Sequence, residues 1–102
     1  MSDNKTDEEV LFEERYKEIG YKIAYCRKHL NLTQEQLAEK VGVSRQHIGA
    51  IEAPNVNRKV SLDLIFNIAD LCGIEPSWFL EYQSMPSAKK SKLLEENNRF
   101  KD

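Results

Sequence analysis

Between Thr33 and Glu52 the chain reads TQEQLAEKVGVSRQHIGAIE, which places two helix-start signals eleven residues apart with a glycine between them. Thr33 with Gln36 forms a capping box, in which each side chain satisfies the other residue's backbone N–H, and Ser44 can cap a second start. Gly42 stops the first helix. Pro54 stops the second near Glu52, because proline disfavours helical geometry in the residue before it and has no N–H of its own. Helices this short are marginal alone, since nucleation costs more than a few backbone bonds return. The stretch must therefore lean on other elements through Leu37, Ala38, Val41, Ile48 and Ile51.

The flanking sequence supplies those elements. Thr6 and Glu9 make another capping box, after which Phe12, Tyr16, Ile19, Ile23, Cys26 and Leu30 recur at three- and four-residue steps, giving one long amphipathic helix that Asn31 can stop. After the loop APNVNRK, Ser61 caps a fourth helix with Leu62, Ile65, Ile68, Ala69 and Cys72 inward and Gly73 at its end. Pro76 opens a fifth, PSWFLEY, at the first-turn position that proline tolerates. The composition then turns polar. QSMPSAKKSK reads as a linker, and in LLEENNRFKD the shared face of Leu93, Asn97 and Phe100 allows a frayed helix while the polar content allows disorder. No repeat and no strand pattern is evident.

The 102 residues suffice for one small domain with tails. The opening MSDNKTDEEV lacks the basic flank and apolar run of a signal peptide, and no stretch approaches a membrane span, so the expected compartment is the cytoplasm. Cys26 and Cys72 lie 46 residues apart in apolar helical patterns, with no CxxC pair or zinc-type spacing, and read as buried reduced thiols. His29 and His47 read as surface or helix-end residues. No metal and no cofactor is expected. There is no phosphate-binding glycine loop, no nucleophile with a base and no carboxylate cluster, so the chain is not read as an enzyme.

The net charge of −2 conceals segregation: residues 1–14 carry −5, 15–60 carry +5, 61–83 carry −4 and 84–102 carry +2. The basic block coincides with the paired short helices, so it can hold a polyanion locally although the whole chain is mildly acidic. A solvated charged surface is the other reading of the same charges.

On a helical wheel Ile48 and Ile51 define the buried side of the third helix. Opposite them lie Gln46, Gly49 and Ala50, with Arg45 and His47 at the edges. A merely solvated face would more usually carry Glu and Lys, because glycine costs about 1 kcal/mol against alanine in a helix interior. This face is small and carries its long polar groups in the first turn. Arginine can donate twice to guanine, and a glutamine amide matches adenine's donor and acceptor in the major groove. Gln34 opens the preceding helix, whose free N–H groups and positive dipole end suit a phosphate, and Arg58 and Lys59 can hold a second one.

These residues resemble the helix-turn-helix domains of the phage repressor and Cro type, the XRE-type regulators, over about Ile19 to Tyr82. Ala38 falls where that family keeps a small residue between the two helices, Gly42 falls in the turn, and Ile48 and Ile51 fall at core positions. The resemblance implies an all-α, compact five-helix repressor-like domain with an extended first helix and a polar C-terminal tail. It divides the chain into an acidic extension of helix one (1–14), a DNA-binding domain (15–82) and a linker with a flexible tail (83–102). Ser44, Arg45, Gln46, Gly49 and Ala50 correspond to positions facing bases or the groove. Gln34, His47, Asn57, Arg58 and Lys59 correspond to phosphate contacts, and Arg27 and Glu52 to a structural ion pair. Two departures stand out: Gly49 and Ala50 replace long polar side chains late in the reading face, and EAPN replaces the commoner Glu, Asn or Arg, Gly ending.

By the same resemblance the partner is double-stranded DNA, bound as a homodimer on a palindromic operator, because one short helix reads only a few base pairs. The function implied is that of a small bacterial or phage transcriptional regulator, a repressor. Val10, Leu11 and Phe12, or Leu80 and Tyr82, offer apolar groups for pairing; the other reading is that they pack within their own domain. The alternative function is a protein-interaction module, an antitoxin or adaptor whose partner is a toxin or another regulator.

Overall fold

The structure is a computed structural model describing residues 6–54 and 59–82, with Leu11 described in its backbone only. Five helices follow one another: α1 (Asp7–His29), α2 (Gln34–Val41), α3 (Arg45–Glu52), α4 (Leu62–Cys72) and α5 (Pro76–Leu80). Among the described residues there is no strand, and the expected five-helix repressor-like architecture is the one that forms.

Each of the four longer helices starts where a hydroxyl can satisfy an otherwise orphaned N–H. Thr6 Oγ1 accepts from the Glu9 N–H while Glu9 Oε1 accepts from the Thr6 N–H, and Thr33 and Gln36 repeat this reciprocal box. Ser44 and Ser61 accept from the N–H groups of His47 and Leu64. The stops are local too. Asn31, just past α1, has φ 61°, and Gly42 after α2 has φ 77°, a conformation that lets the Val43 N–H turn back to the Ala38 carbonyl at 3.0 Å.

Ile23, Leu37, Ile48, Ile65, Ile68 and Phe79 are fully buried, so all five helices contribute to one core. Burying a side chain of this size contributes about 1.5–3 kcal/mol. Ile48 and Ile51 together thus outweigh the nucleation cost that would leave an isolated eight-residue α3 unfolded.

The inward pattern differs from expectation at the helix ends. In α4 the buried row is Leu64, Ile65, Ile68 and Ala69, whereas Leu62 is 54% exposed. Leu62 is the first residue of α4, directly after the Ser61 cap, at the edge of the inward face that Leu64, Ile65 and Ile68 define. Phe12, near the start of α1, and Leu30, the residue that caps its end, continue the apolar stripe but are exposed. Trp78 is half-buried beside the fully buried Phe79, and α5 ends at Leu80, short of Tyr82. A lysine on α1 completes that short helix: Lys22 Nζ donates to the carbonyls of Trp78 (2.8 Å) and Glu81 (2.6 Å), with Glu18 at 3.5 Å. Helix-end carbonyls need such partners, and no spacing in the sequence links residue 22 to residue 78.

Candidate nucleic-acid interface

Glu52, the last residue of α3, ties three helices together. Its carboxylate accepts from Arg27 Nε (2.8 Å) and Nη2 (2.9 Å) and from Gln34 Nε2 (3.0 Å). Arg27 also donates through Nη1 to the Leu32 carbonyl in the turn between α1 and α2. The two charged side chains are only 12% and 6% exposed. The bond to Glu52 holds the Arg27 guanidinium above its ordinary pKa against the opposing effect of burial.

With its buried side fixed by Ile48 and Ile51, α3 exposes Arg45 and Gln46 in its first turn, followed by half-buried Gly49 and Ala50. Ser44 spends its oxygen on the His47 N–H and keeps a hydroxyl hydrogen to donate; His47 itself is half-buried at the edge of the face. Gln34 reaches across from the first position of α2. With one amide N–H committed to Glu52, it retains a second N–H for another acceptor. Lys59 is exposed directly before the buried Val60. Asn57 and Arg58 lie outside the described residues. The structure thus brings Gln34, Glu52 and the middle of α3 together, a link between the two short helices that no local sequence signal announces.

Gly49 faces Gln34 across the gap between α2 and α3. A Cβ built there would meet only the Gln34 Oε1, at 3.5 Å, an ordinary van der Waals distance. Among the described residues, packing does not require a glycine at this position. Gly49→Ala is therefore expected to stabilise the fold by about 0.5–1 kcal/mol through helix propensity. A urea titration checks this; a lower midpoint would reveal an internal contact that this geometry does not contain.

The thiols behave as scaffold. Burial is the first cause pushing the buried Cys26 up to about 12, and it raises half-buried Cys72 as well, so neither presents a ready thiolate near neutral pH.

Comparison with known proteins converges on the same region. A family model described as helix-turn-helix matches residues 23–79. An uncharacterised HTH-type transcriptional regulator of Methanocaldococcus jannaschii is 50% identical over 54 residues, which is 53% of this chain and 79% of that protein. The crystal structure of the restriction-modification controller protein C.AhdI from Aeromonas hydrophila is similar with a TM-score of 0.56 at 31% identity, covering 63% of this chain and 94% of that one. The SinR protein/SinI protein complex gives a TM-score of 0.57 at 22% identity over 78% of each chain, a likeness of fold alone.

Proposed function

The chain belongs to the helix-turn-helix family, of the phage repressor and Cro (XRE) type, and on that premise we propose that it is a transcriptional regulator reading double-stranded DNA through α3. In this reading it acts in the cytoplasm as a homodimeric repressor that occupies a palindromic operator, without a cofactor and without enzymatic activity. Among the described residues no helix is long and apolar enough to cross a membrane.

The observation that carries the proposal is the outer face of α3. Its long polar side chains, Arg45 and Gln46, stand at the solvent-exposed start, and the two small residues that follow are not both demanded by packing, since position 49 has room for a Cβ. A slim face with two base-matching side chains suits a groove. Ser44 completes the first turn, while Gln34, His47 and the 57–59 segment, Asn57, Arg58 and Lys59, are proposed to grip phosphates on either side. Ala50 can meet a thymine methyl, and the shape of the duplex contributes where side chains are short.

Selection of duplexes from a randomised pool at near-physiological salt tests the proposal. A twofold-symmetric motif with half-sites about one helical turn apart supports it; no enrichment, with binding that fades uniformly as salt rises, would turn the search to a protein partner. On the selected duplex, Gln46→Ala is expected to lose about 1–3 kcal/mol of discrimination at one base position, whereas Lys59→Ala weakens all sequences alike and flattens the salt dependence. Equal losses on selected and random duplexes for Gln46→Ala would contradict its reading role.

A further inference from the structure

We propose that the solvent face of α1 pairs antiparallel with the same face of a second copy of this chain. The proposal rests on the dimeric reading above and names its surface. Ile19, Ile23 and Cys26 turn one side of α1 into the core. On the opposite side Val10, Glu14, Lys17 and Tyr21 follow one another at steps of four, three and four residues, the spacing by which two helices pack side by side. Val10 and Tyr21 are 46% and 55% exposed, with no other helix of the described chain over them.

The row is complementary to itself in one orientation. Turned antiparallel about the midpoint between Arg15 and Tyr16, it sets Val10 opposite the second copy's Tyr21 and Glu14 opposite the second copy's Lys17, each pair occurring twice by symmetry. A parallel in-register pairing would put Glu14 against Glu14 and Lys17 against Lys17. Charge therefore selects the orientation, and the apolar ends supply the burial. Within one chain Lys17 Nζ already lies 3.6 Å from Glu14 Oε2, with side chains 34% and 52% exposed. An exposed pair of this kind holds its partners weakly, so the two groups can exchange them across the seam at small cost. Tyr25 flanks the seam but is engaged at home, stacked on His29 at 6.0 Å and tilted against Trp78 at 6.2 Å. At about 1.5 Å per residue the 23-residue helix is ample for the four layers.

Sedimentation equilibrium of the full chain tests this, with circular dichroism to show that each variant keeps its helices. Lys17→Glu and Glu14→Lys are each expected to weaken self-association at least about tenfold, because each places like charges opposite one another across the seam twice by symmetry. An equimolar mixture of the two variants is expected to dimerise about as well as the wild type, since every facing charge is then matched. If the wild type dimerises and both variants do so equally, or if the mixture stays monomeric while the wild type pairs, this surface is wrong and the dimeric reading stands. A wild-type chain that remains monomeric throughout the concentration range, and binds its selected duplex as a single copy, overturns both.

Discussion

Replacing Gly20 by alanine is expected to destabilise the chain by at least about 3 kcal/mol, a drop in melting temperature of more than about 10 °C. α1 and α3 cross at this residue, backbone against backbone. A Cβ on Gly20 would overlap the Ile51 carbonyl oxygen, with the carbonyl carbon at 3.2 Å and Glu52 Cα at 3.7 Å. A flexible side chain could rotate away, but a helical carbonyl moves only with its helix. Overpacking usually costs about 1–3 kcal/mol, and immovable backbone places this case at or beyond the upper end even after propensity returns about 1 kcal/mol. The displacement would also pull Ile51 from the core and Glu52 from Arg27. Thermal unfolding of Gly20→Ala beside Gly49→Ala checks the argument, since the same chemical change at two helical glycines should move stability in opposite directions. A Gly20→Ala chain as stable as the wild type would mean that α1 and α3 do not cross this closely.

The two glycines differ in whether their constraint is local to one helix. Thr6, Thr33, Ser44 and Ser61 each announce a helix start by chemistry reaching three residues ahead, and Asn31, Gly42 and Pro54 announce stops, so the number and order of helices were legible. The outward face of α3 was legible too, because Ile48 and Ile51 fix its rotation. Gly49 stands out on that face because a helix interior disfavours glycine, while Gly20 carries no local signal within the long amphipathic pattern of α1. Its role depends on where α3 lies, and periodicity within α1 carries no information about that. The bonds from Lys22 to the Trp78 carbonyl and from Gln34 to Glu52 lie beyond local pattern for the same reason, since they span 56 and 18 residues. The periodic pattern of α4 places Leu62 inward, whereas as the first residue of α4 it is exposed at the edge of the inward face. For Asn57 and Arg58, local patterns supply a basic loop but no geometry.

Arg27→Met should cost about 3–5 kcal/mol, the range expected when one partner of a buried ion pair is removed and the other is stranded. Methionine keeps most of the arginine's bulk, so the loss is electrostatic more than steric. The Glu52 side chain, 6% exposed, would retain the 3.0 Å bond from Gln34 while losing two donors, and the Leu32 carbonyl would lose its arginine partner. Adding Glu52→Gln removes the stranded charge, so the double variant is expected to recover a substantial part of the stability lost by Arg27→Met alone. Chemical denaturation of the two single variants and the double measures this as a cycle. If the double is no better than Arg27→Met, the stranded carboxylate is not the cause. The two charges also separate scaffold from recognition. Neither is on the outer face of α3, so at a temperature where Arg27→Met remains folded it should choose among duplexes as the wild type does, whatever its melting temperature. A changed base preference in the folded variant would show that the Arg27–Glu52–Gln34 connection shapes the reading surface itself, acting through the Gln34 amide beside Gly49.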